Sequence, residues 1–189
     1  GRYLDDNHPS GEEKNLIIIK KEGYKVYKTN TFWLTDTPNV PSKAESSALN
    51  RIVTTALVEE KETGDMFIVF NTHLDYIEDI ARTYQALCLL TFINSLKNVG
   101  IIVTGDFNAP DNEPAYEKIT IVLNDSRFDT TDAKFVETYH SNGQYKPVTI
   151  DYIFHNGLIR VNEYKVITDE INGVLPSDHY PVMIDCYVK

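Results

Sequence analysis

The sequence predicts an α/β fold in which two packed β-sheets are flanked by helices. Short apolar runs rich in β-branched residues outnumber helical segments, and the helical segments fall between pairs of such runs. At 189 residues with 42% hydrophobic content, the chain is long enough to bury a substantial core. We therefore expect residues 1–189 to form one domain.

The first half of the chain is predicted to consist mainly of strands. Residues 1–15 are polar and rich in turn-forming residues, which is typical of a loop. Strands are then predicted over residues 16–20, 25–28, 32–34, 51–58 and 66–72. A turn separates the first two strands, and turn residues between the last two predict a hairpin.

A long helix is predicted over residues 80–96. Ile80, Tyr84, Leu87 and Cys88 have the i, i+4, i+7, i+8 spacing of a buried helix face. The remaining elements are predicted as a strand over 99–104, a shorter helix over 114–123, and strands over 148–154, 158–167 and 181–188.

Charge and composition restrict the function. The net charge of -10, from 18 basic and 28 acidic residues, argues against tight non-specific binding of duplex DNA and favours a small or single-stranded substrate. No apolar run is long enough to span a bilayer, so we expect a soluble protein without membrane insertion, either cytoplasmic or exported from a longer precursor. We expect buried thiols at Cys88 and Cys186, and a surface acidic loop with Asp125, Asp129 and Asp132.

Four short polar clusters lie at the ends of predicted strands. They are Asn71-Thr72-His73-Leu74-Asp75, Gly105-Asp106-Phe107-Asn108, Ile150-Asp151-Tyr152-Ile153-Phe154 and Ser177-Asp178-His179-Tyr180-Pro181. Their histidines, carboxylates and amides are the groups needed to bind a metal ion and to attack a phosphate ester.

The second cluster follows a strand that is expected to end at Gly105. Asp106 and Asn108 are two residues apart, so they project to the same side if the chain is extended, where they would orient a water and hold a phosphoryl oxygen. The alternative is an Asp/Asn turn whose side chains bond their own backbone.

The other clusters allow similar alternatives. His179 is a candidate general base or phosphate-facing cation, because the pKa of imidazole lies near neutrality. Asp151 is flanked by apolar residues and needs a partner, for which His179 is the candidate and a lysine or backbone amides are the alternatives. His73 is either a site residue or a cap of the following helix, and Arg51 either reaches a phosphate or is solvated.

In this order the clusters resemble the endonuclease/exonuclease/phosphatase superfamily. The segment 31–38 (Thr-Phe-Trp-Leu-Thr-Asp-Thr-Pro) is similar to one in its bacterial hydrolase branch, and the resemblance runs over essentially the whole chain. It implies a DNase I-like four-layer sandwich of two mixed sheets flanked by helices. It also implies hydrolysis of a phosphodiester or phosphomonoester by in-line attack of water, with Mg²⁺ or Mn²⁺ as cofactor.

The resemblance implies roles for the residues of the later clusters. Asp106 would align or deprotonate the attacking water, and Asn108 would contact the phosphate or the metal. His179 would bind the phosphate or act as a base, held by Asp151. Asp178, Asp106 and Asn108 are the implied metal ligands.

The resemblance also implies substrate contacts from the first half of the chain. His73 would meet a phosphate oxygen and pair with a glutamate, for which Glu13 is the best match and the adjacent Glu12 is the alternative. Arg51 would face the phosphate, so Arg51 and Glu13 are the implied substrate-binding residues.

The chain departs from the family pattern at its N-terminus. Family members begin with a strand that carries an asparagine, then a helix, then a strand that ends in Gln-Glu, whose glutamate binds metal. No Gln-Glu pair occurs in this sequence. We therefore expect an incomplete catalytic domain whose exposed sheet edges favour self-association. The alternative function is an inactive member that binds phosphate or another ligand.

Overall fold

The computed structural model of the chain describes residues 13–131 and 134–189. Its strands and helices are, in chain order, β1 (Tyr24–Trp33), β2 (Ile52–Glu60), β3 (Met66–His73), α1 (Asp79–Ser95), β4 (Gly100–Asp106), α2 (Pro114–Thr120), β5 (Asn124–Asp125), β6 (Asp151–His155), β7 (Ile159–Val166) and β8 (Val182–Val188). Short 3₁₀ turns occur at Ser126–Phe128 and Ser141–Gly143. No helix in the described ranges is long and apolar enough to cross a bilayer.

The strands form two sheets. The larger is mixed and has the order β1-β2-β3-β4-β6-β5, and the smaller consists of antiparallel β7 and β8. Within the larger sheet only β3 and β4 are parallel, because α1 provides the crossover that a parallel pair requires. The predicted α/β fold with two sheets and accompanying helices is confirmed.

The core lies between the larger sheet and the two helices. Side chains of β4 alternate between the faces of the sheet, so Ile101 and Val103 are buried with Leu89 and Ile93 of α1. Ile102 lies on the opposite face and lines a cleft with Ile159 of β7. The smaller sheet therefore packs on the face that the helices leave open.

The predicted buried face of α1 is wrong for three of its four residues, because only Cys88 packs against the core. Ile80, Tyr84 and Leu87 are 65%, 37% and 47% exposed. The buried side chains of α1 are Ala81, Arg82, Gln85, Ala86, Leu89, Leu90 and Ile93. Two polar side chains lie on this face because each has polar partners: Arg82 binds Glu113, and Gln85 bonds the backbone of Asp75.

The strand predicted over residues 16–20 is also wrong. The segment is not paired in a ladder, and side-chain amides hold it instead. Asn15 donates to the Ile52 carbonyl and Asn71 donates to the Leu16 carbonyl, at 2.8 and 2.9 Å. The stretches predicted separately over 25–28 and 32–34 belong to the continuous strand β1, which carries a bulge between Val26 and Lys28.

Two of the acidic residues predicted at the surface have buried partners. Asp125 is buried and binds Arg127, with 2.8 Å between Oδ2 and Nη2. Asp129 lies 2.6 Å from Nε2 of the buried His155. The surface prediction is therefore wrong for Asp125, while Asp132 lies outside the described residues.

The two cysteines are free thiols, as expected, but they are half-buried rather than fully buried. Burial raises the pKa of both the Cys88 and the Cys186 thiol. Both thiols are consequently weaker nucleophiles than an exposed cysteine at neutral pH.

Candidate active site

The sheet register places three of the predicted residues side by side. In the parallel pair β3–β4, His73 lies opposite Asp106. In the antiparallel pair β4–β6, Asp106 lies opposite Asp151. His73, Asp106 and Asp151 thus form one row across neighbouring strand ends, although they are far apart in the sequence.

His73 connects the first cluster to the segment before β1. Its Nδ1 lies 2.9 Å from Oε1 of Glu13, and its Nε2 lies 3.4 Å from Oδ2 of Asp106. The structure therefore brings His73 to the glutamate expected from the resemblance, while Glu12 lies outside the described residues. The role of this contact in catalysis stays a prediction.

Asp106 forms the local turn that was one of the two alternatives derived from the sequence, and its second oxygen is not used by this turn. Its Oδ1 accepts the Asn108 N–H at 2.8 Å, which is the local turn, while Oδ2 faces His73. Burial raises the pKa of Asp106, with the nearby His73 opposing this rise and the charge of Asp151 adding to it. The site therefore holds a carboxyl group that is more basic than an exposed aspartate.

Asn108 does not continue the strand, so the expectation of an extended chain is wrong there. Its φ of 49° lies in the left-handed region, which asparagine tolerates better than most residues. The turn directs its side-chain amide to the Leu74 carbonyl at 3.1 Å. Asn108 thereby ties the end of β4 to the end of β3.

His179 pairs with Asp151, the partner expected from the sequence. Nδ1 of His179 lies 2.8 Å from Oδ2 of Asp151, so the ring directs Nε2 away from the carboxylate. This hydrogen bond raises the pKa of His179 above its ordinary value of 6.5. The Tyr139 ring packs against the imidazole, with 4.8 Å between the ring centroids.

Arg51 is buried rather than solvated, with 3% of its side chain exposed. Its Nη1 lies 3.4 Å from Oε1 of Glu13, and its Nε lies 4.0 Å from Oδ2 of Asp75. Arg51, Glu13 and His73 therefore form one connected group, and His73 links this group to Asp106.

Asp75 and Thr138 are two residues of the site region to which the sequence assigned no role. The buried Asp75 carboxylate accepts the Ser47 hydroxyl and the Ala48 N–H, each at 2.8 Å. The Thr138 hydroxyl contacts Asp151. The position of Asp75 two residues after His73 is a signal for the first, whereas no sequence signal marks Thr138.

Acid is expected to weaken the contribution of Asp75 to stability. Burial acts to raise the pKa of Asp75, but hydrogen bonds from Ile77, Ser47 and Ala48 lower it below the ordinary value of 3.8. The stabilisation is therefore fully present above pH 3.8 and is lost as pH falls through the lower folded-state pKa. We expect Asp75→Asn to cost about 1–3 kcal/mol at pH 7.

Urea unfolding of the wild type and Asp75→Asn between pH 7 and about pH 3 would measure this effect, because the difference isolates the substituted carboxyl group. The gap between the two free energies of unfolding should narrow at the acid end. A gap that stays constant across the range would show that ionisation of Asp75 contributes nothing.

Two carboxylates and one imidazole form a group of possible metal ligands. Ligand atoms of Asp106, Asp151 and His179 all lie within 4.8 Å of one another. Two neighbouring carboxylates, one with a pKa raised by burial and by the other's charge, suit a divalent cation that prefers oxygen ligands. Among the described residues, Asp178 lies outside this group and is exposed.

A cleft of about 380 Å³ lies at the strand ends that carry Asp106 and Asp151. Asp106, Asp151 and His179 line it together with Ser177 and Tyr180. Hence the second, third and fourth sequence clusters meet at one concave surface, which is where small-molecule sites usually lie.

The chain is similar to several solved structures. An endonuclease/exonuclease/phosphatase from Bacteroides vulgatus has 30% identity and a TM-score of 0.82, over 90% of this chain and 68% of that one. A mannosyl-6-phosphatase from Bacteroides thetaiotaomicron has 29% identity and a TM-score of 0.77, over 89% and 68%. A protein of unknown function from Enterococcus faecalis has 27% identity and a TM-score of 0.80, over 90% and 69%.

The chain thus spans about two thirds of the length of these relatives. A search of curated proteins finds no match. Residues 5–179 match the sequence profile of the Endonuclease/Exonuclease/phosphatase family. The resemblance inferred from the four clusters is confirmed, and with it the sandwich fold that it implies: the chain belongs to the endonuclease/exonuclease/phosphatase family.

Proposed function

We propose that this chain carries most of the active site of a metal-dependent phosphoesterase, which hydrolyses a phosphodiester or phosphomonoester by in-line attack of water. The observation that carries the proposal is the row of His73, Asp106 and Asp151 at neighbouring strand ends, together with the cleft that Asp106, Asp151 and His179 line. Each of the two imidazoles is paired with a carboxylate, and partial burial raises the pKa of Asp106. Such groups are suited to acid–base chemistry at a phosphate.

Asp106 is proposed to align the attacking water and to accept its proton. One oxygen of this carboxylate is occupied by the Asn108 N–H, which holds the group in place and leaves Oδ2 facing the site. A carboxylate whose pKa is raised by burial accepts a proton more effectively than an ordinary aspartate.

His179 and His73 are proposed to contact the phosphoryl oxygens. Asp151 holds Nδ1 of His179, so Nε2 of that ring is directed away from its partner. Glu13 holds Nδ1 of His73, and Nε2 of His73 lies 3.4 Å from Oδ2 of Asp106, beside the position proposed for the phosphate. The raised pKa of His179 favours the imidazolium, which would stabilise negative charge that develops in the transition state. Arg51 is proposed to add a further positive charge to the phosphate site.

Asp106 and Asp151 are the carboxylates best placed to hold Mg²⁺ or Mn²⁺, with Asp178 and Asn108 as further proposed ligands. When bound, such an ion would stabilise charge on the phosphoryl and leaving oxygens. The chain's own residues would orient the water, hold the phosphate and move the proton.

The substrate is proposed to be a small phosphoester or a single strand rather than duplex DNA. The net charge of -10 disfavours a long polyanion, and the relative from B. thetaiotaomicron is described as a mannosyl-6-phosphatase. We therefore place a small phosphomonoester first among the candidate substrates, and we propose a location in the cytoplasm or outside the cell. Self-association through exposed sheet edges remains a proposal.

The test is turnover of p-nitrophenyl phosphate and bis-p-nitrophenyl phosphate with Mg²⁺ or Mn²⁺. Turnover that requires the metal and stops on chelation is expected. The alternative function is a module that binds phosphate or another ligand without cleaving it. The absence of turnover, together with the absence of metal binding by calorimetry, would favour that alternative and contradict the enzyme.

A further inference from the structure

Thr138 has a fully buried side chain whose hydroxyl contacts Asp151. Its Oγ1 lies 3.1 Å from the Ile150 nitrogen, 3.0 Å from the Asp151 nitrogen and 2.7 Å from Asp151 Oδ2. Both backbone N–H groups donate to Oγ1, so the hydroxyl proton is directed at the carboxylate. The hydroxyl is therefore an acceptor for the backbone of β6 and a donor to its first side chain.

The same carboxylate oxygen also accepts the hydrogen bond from His179. Asp151 Oδ2 lies 2.7 Å from Thr138 Oγ1 and 2.8 Å from His179 Nδ1. Rotation about the terminal torsion of an aspartate is soft, and two donors from different segments restrict it. Thr138 consequently limits the positions in which Asp151 can hold the imidazole.

The backbone of Thr138 contacts the segment that carries His179. Its carbonyl accepts the Tyr180 N–H at 2.7 Å, and the next residue, Tyr139, forms a backbone bridge with His179. Thr138 thus contacts Asp151 through its side chain and the neighbour of His179 through its main chain. One buried residue therefore sets the relative position of the two members of the pair.

We propose that Thr138 is a positioning residue for the Asp151–His179 pair: its hydroxyl orients the Asp151 carboxylate so that the imidazole presents Nε2 to the phosphoryl group. Its effect on catalysis rests on the proposed phosphoesterase function. The contact itself, and its effect on the imidazole, do not depend on that function.

The variants Thr138→Val and Thr138→Ser separate the hydroxyl from the shape of the side chain. Valine keeps the volume and removes the hydroxyl, whereas serine keeps the hydroxyl and loses a methyl group. We expect valine to lower kcat by about tenfold with little change in KM, and serine to stay within about threefold of the wild type. In an Asp151→Asn background the valine substitution should add no further loss.

Ser126→Ala is the matched control, because Ser126 is equally buried and its hydroxyl bonds the Ile153 carbonyl of the same strand. It should leave kcat unchanged. Wild-type kcat in Thr138→Val, or an equal loss in Thr138→Ser or Ser126→Ala, would overturn the proposal.

A spectroscopic measurement tests the contact even if the wild type hydrolyses nothing. We expect a low-field proton NMR signal from His179 Nδ1–H, assigned by its loss in His179→Gln. The signal should persist in Thr138→Ser and shift or disappear in Thr138→Val. In the wild type, the Thr138 hydroxyl proton should show a nuclear Overhauser effect to the His179 Nδ1 proton, because both are bonded to Asp151 Oδ2.

The wild-type measurement applies even if Thr138→Val does not fold. Absence of the Overhauser effect at low temperature, with the low-field signal present, would overturn the proposal. If this Overhauser effect is present but the chain shows no turnover, the result would support the role of Thr138 and count against the proposed function alone.

Discussion

Asp106→Asn and His179→Ala are each expected to lower phosphoester turnover by about a hundredfold or more, the range in which lost acid–base groups usually fall. Asparagine keeps the size of Asp106 but cannot accept a proton from water. Alanine at position 179 removes the imidazole that Asp151 holds at 2.8 Å, and the carboxylate keeps the Thr138 hydroxyl but loses its cationic partner. The loss should fall mainly on kcat for both variants.

The measurement is the initial rate of p-nitrophenyl ester hydrolysis at saturating metal, with circular dichroism to verify folding. Calorimetric titration with Mn²⁺ separates a loss of metal binding from a loss of proton transfer in Asp106→Asn. Asp185→Asn serves as the control, because this carboxylate is exposed on β8 and bonds Asn162. Full turnover in folded Asp106→Asn and His179→Ala would contradict the catalytic roles proposed for these two residues.

Gly105→Ala is expected to destabilise the protein by about 2–4 kcal/mol, which combines a backbone clash with a strained conformation. A Cβ atom at Gly105 would lie 2.0 Å from the Thr72 carbonyl oxygen. Its φ of 151° belongs to the region that favours glycine. Relief would require Thr72 to move, and its backbone is fixed in the ladder with β2.

Urea unfolding would measure this loss, with Gly157→Ala as the control because nothing lies within 4 Å of a Cβ atom built there. Turnover should fall as well, since Gly105 directly precedes Asp106 and its neighbour Thr72 precedes His73. An unchanged midpoint of unfolding in Gly105→Ala would contradict this prediction, because it would show that β3 and β4 can move apart at Thr72 and Gly105 at little cost.

Much of the fold could be predicted because local patterns agree with the final environment. The continuous apolar run before Gly105 became the central strand β4, which is covered by helices on one face and by the smaller sheet on the other. Predictions failed where partners distant in sequence decide burial. Arg82 and Gln85 are buried in α1 because Glu113 and Asp75 satisfy them, so an apolar pattern alone selects the wrong face.

The residue types of the site were predictable, but their arrangement was not. His73, Asp106, Asp151 and His179 were identified by their places at strand ends, and each had a credible structural alternative. The parallel pairing of β3 with β4 and the antiparallel pairing of β4 with β6 bring the first three into one row.

Short motifs and local periodicity were enough to identify the family, most of the strands and helices, and the side chains that are proposed to carry the chemistry. Contacts between distant segments were needed to show that Glu13 and Asp106 both contact His73, that Arg51 is buried beside them, and that Thr138 holds Asp151. The physical reason is that a hydrogen bond requires its donor and acceptor to lie about 3 Å apart. Sheet register and loop closure set that distance, and neither can be predicted from the local sequence.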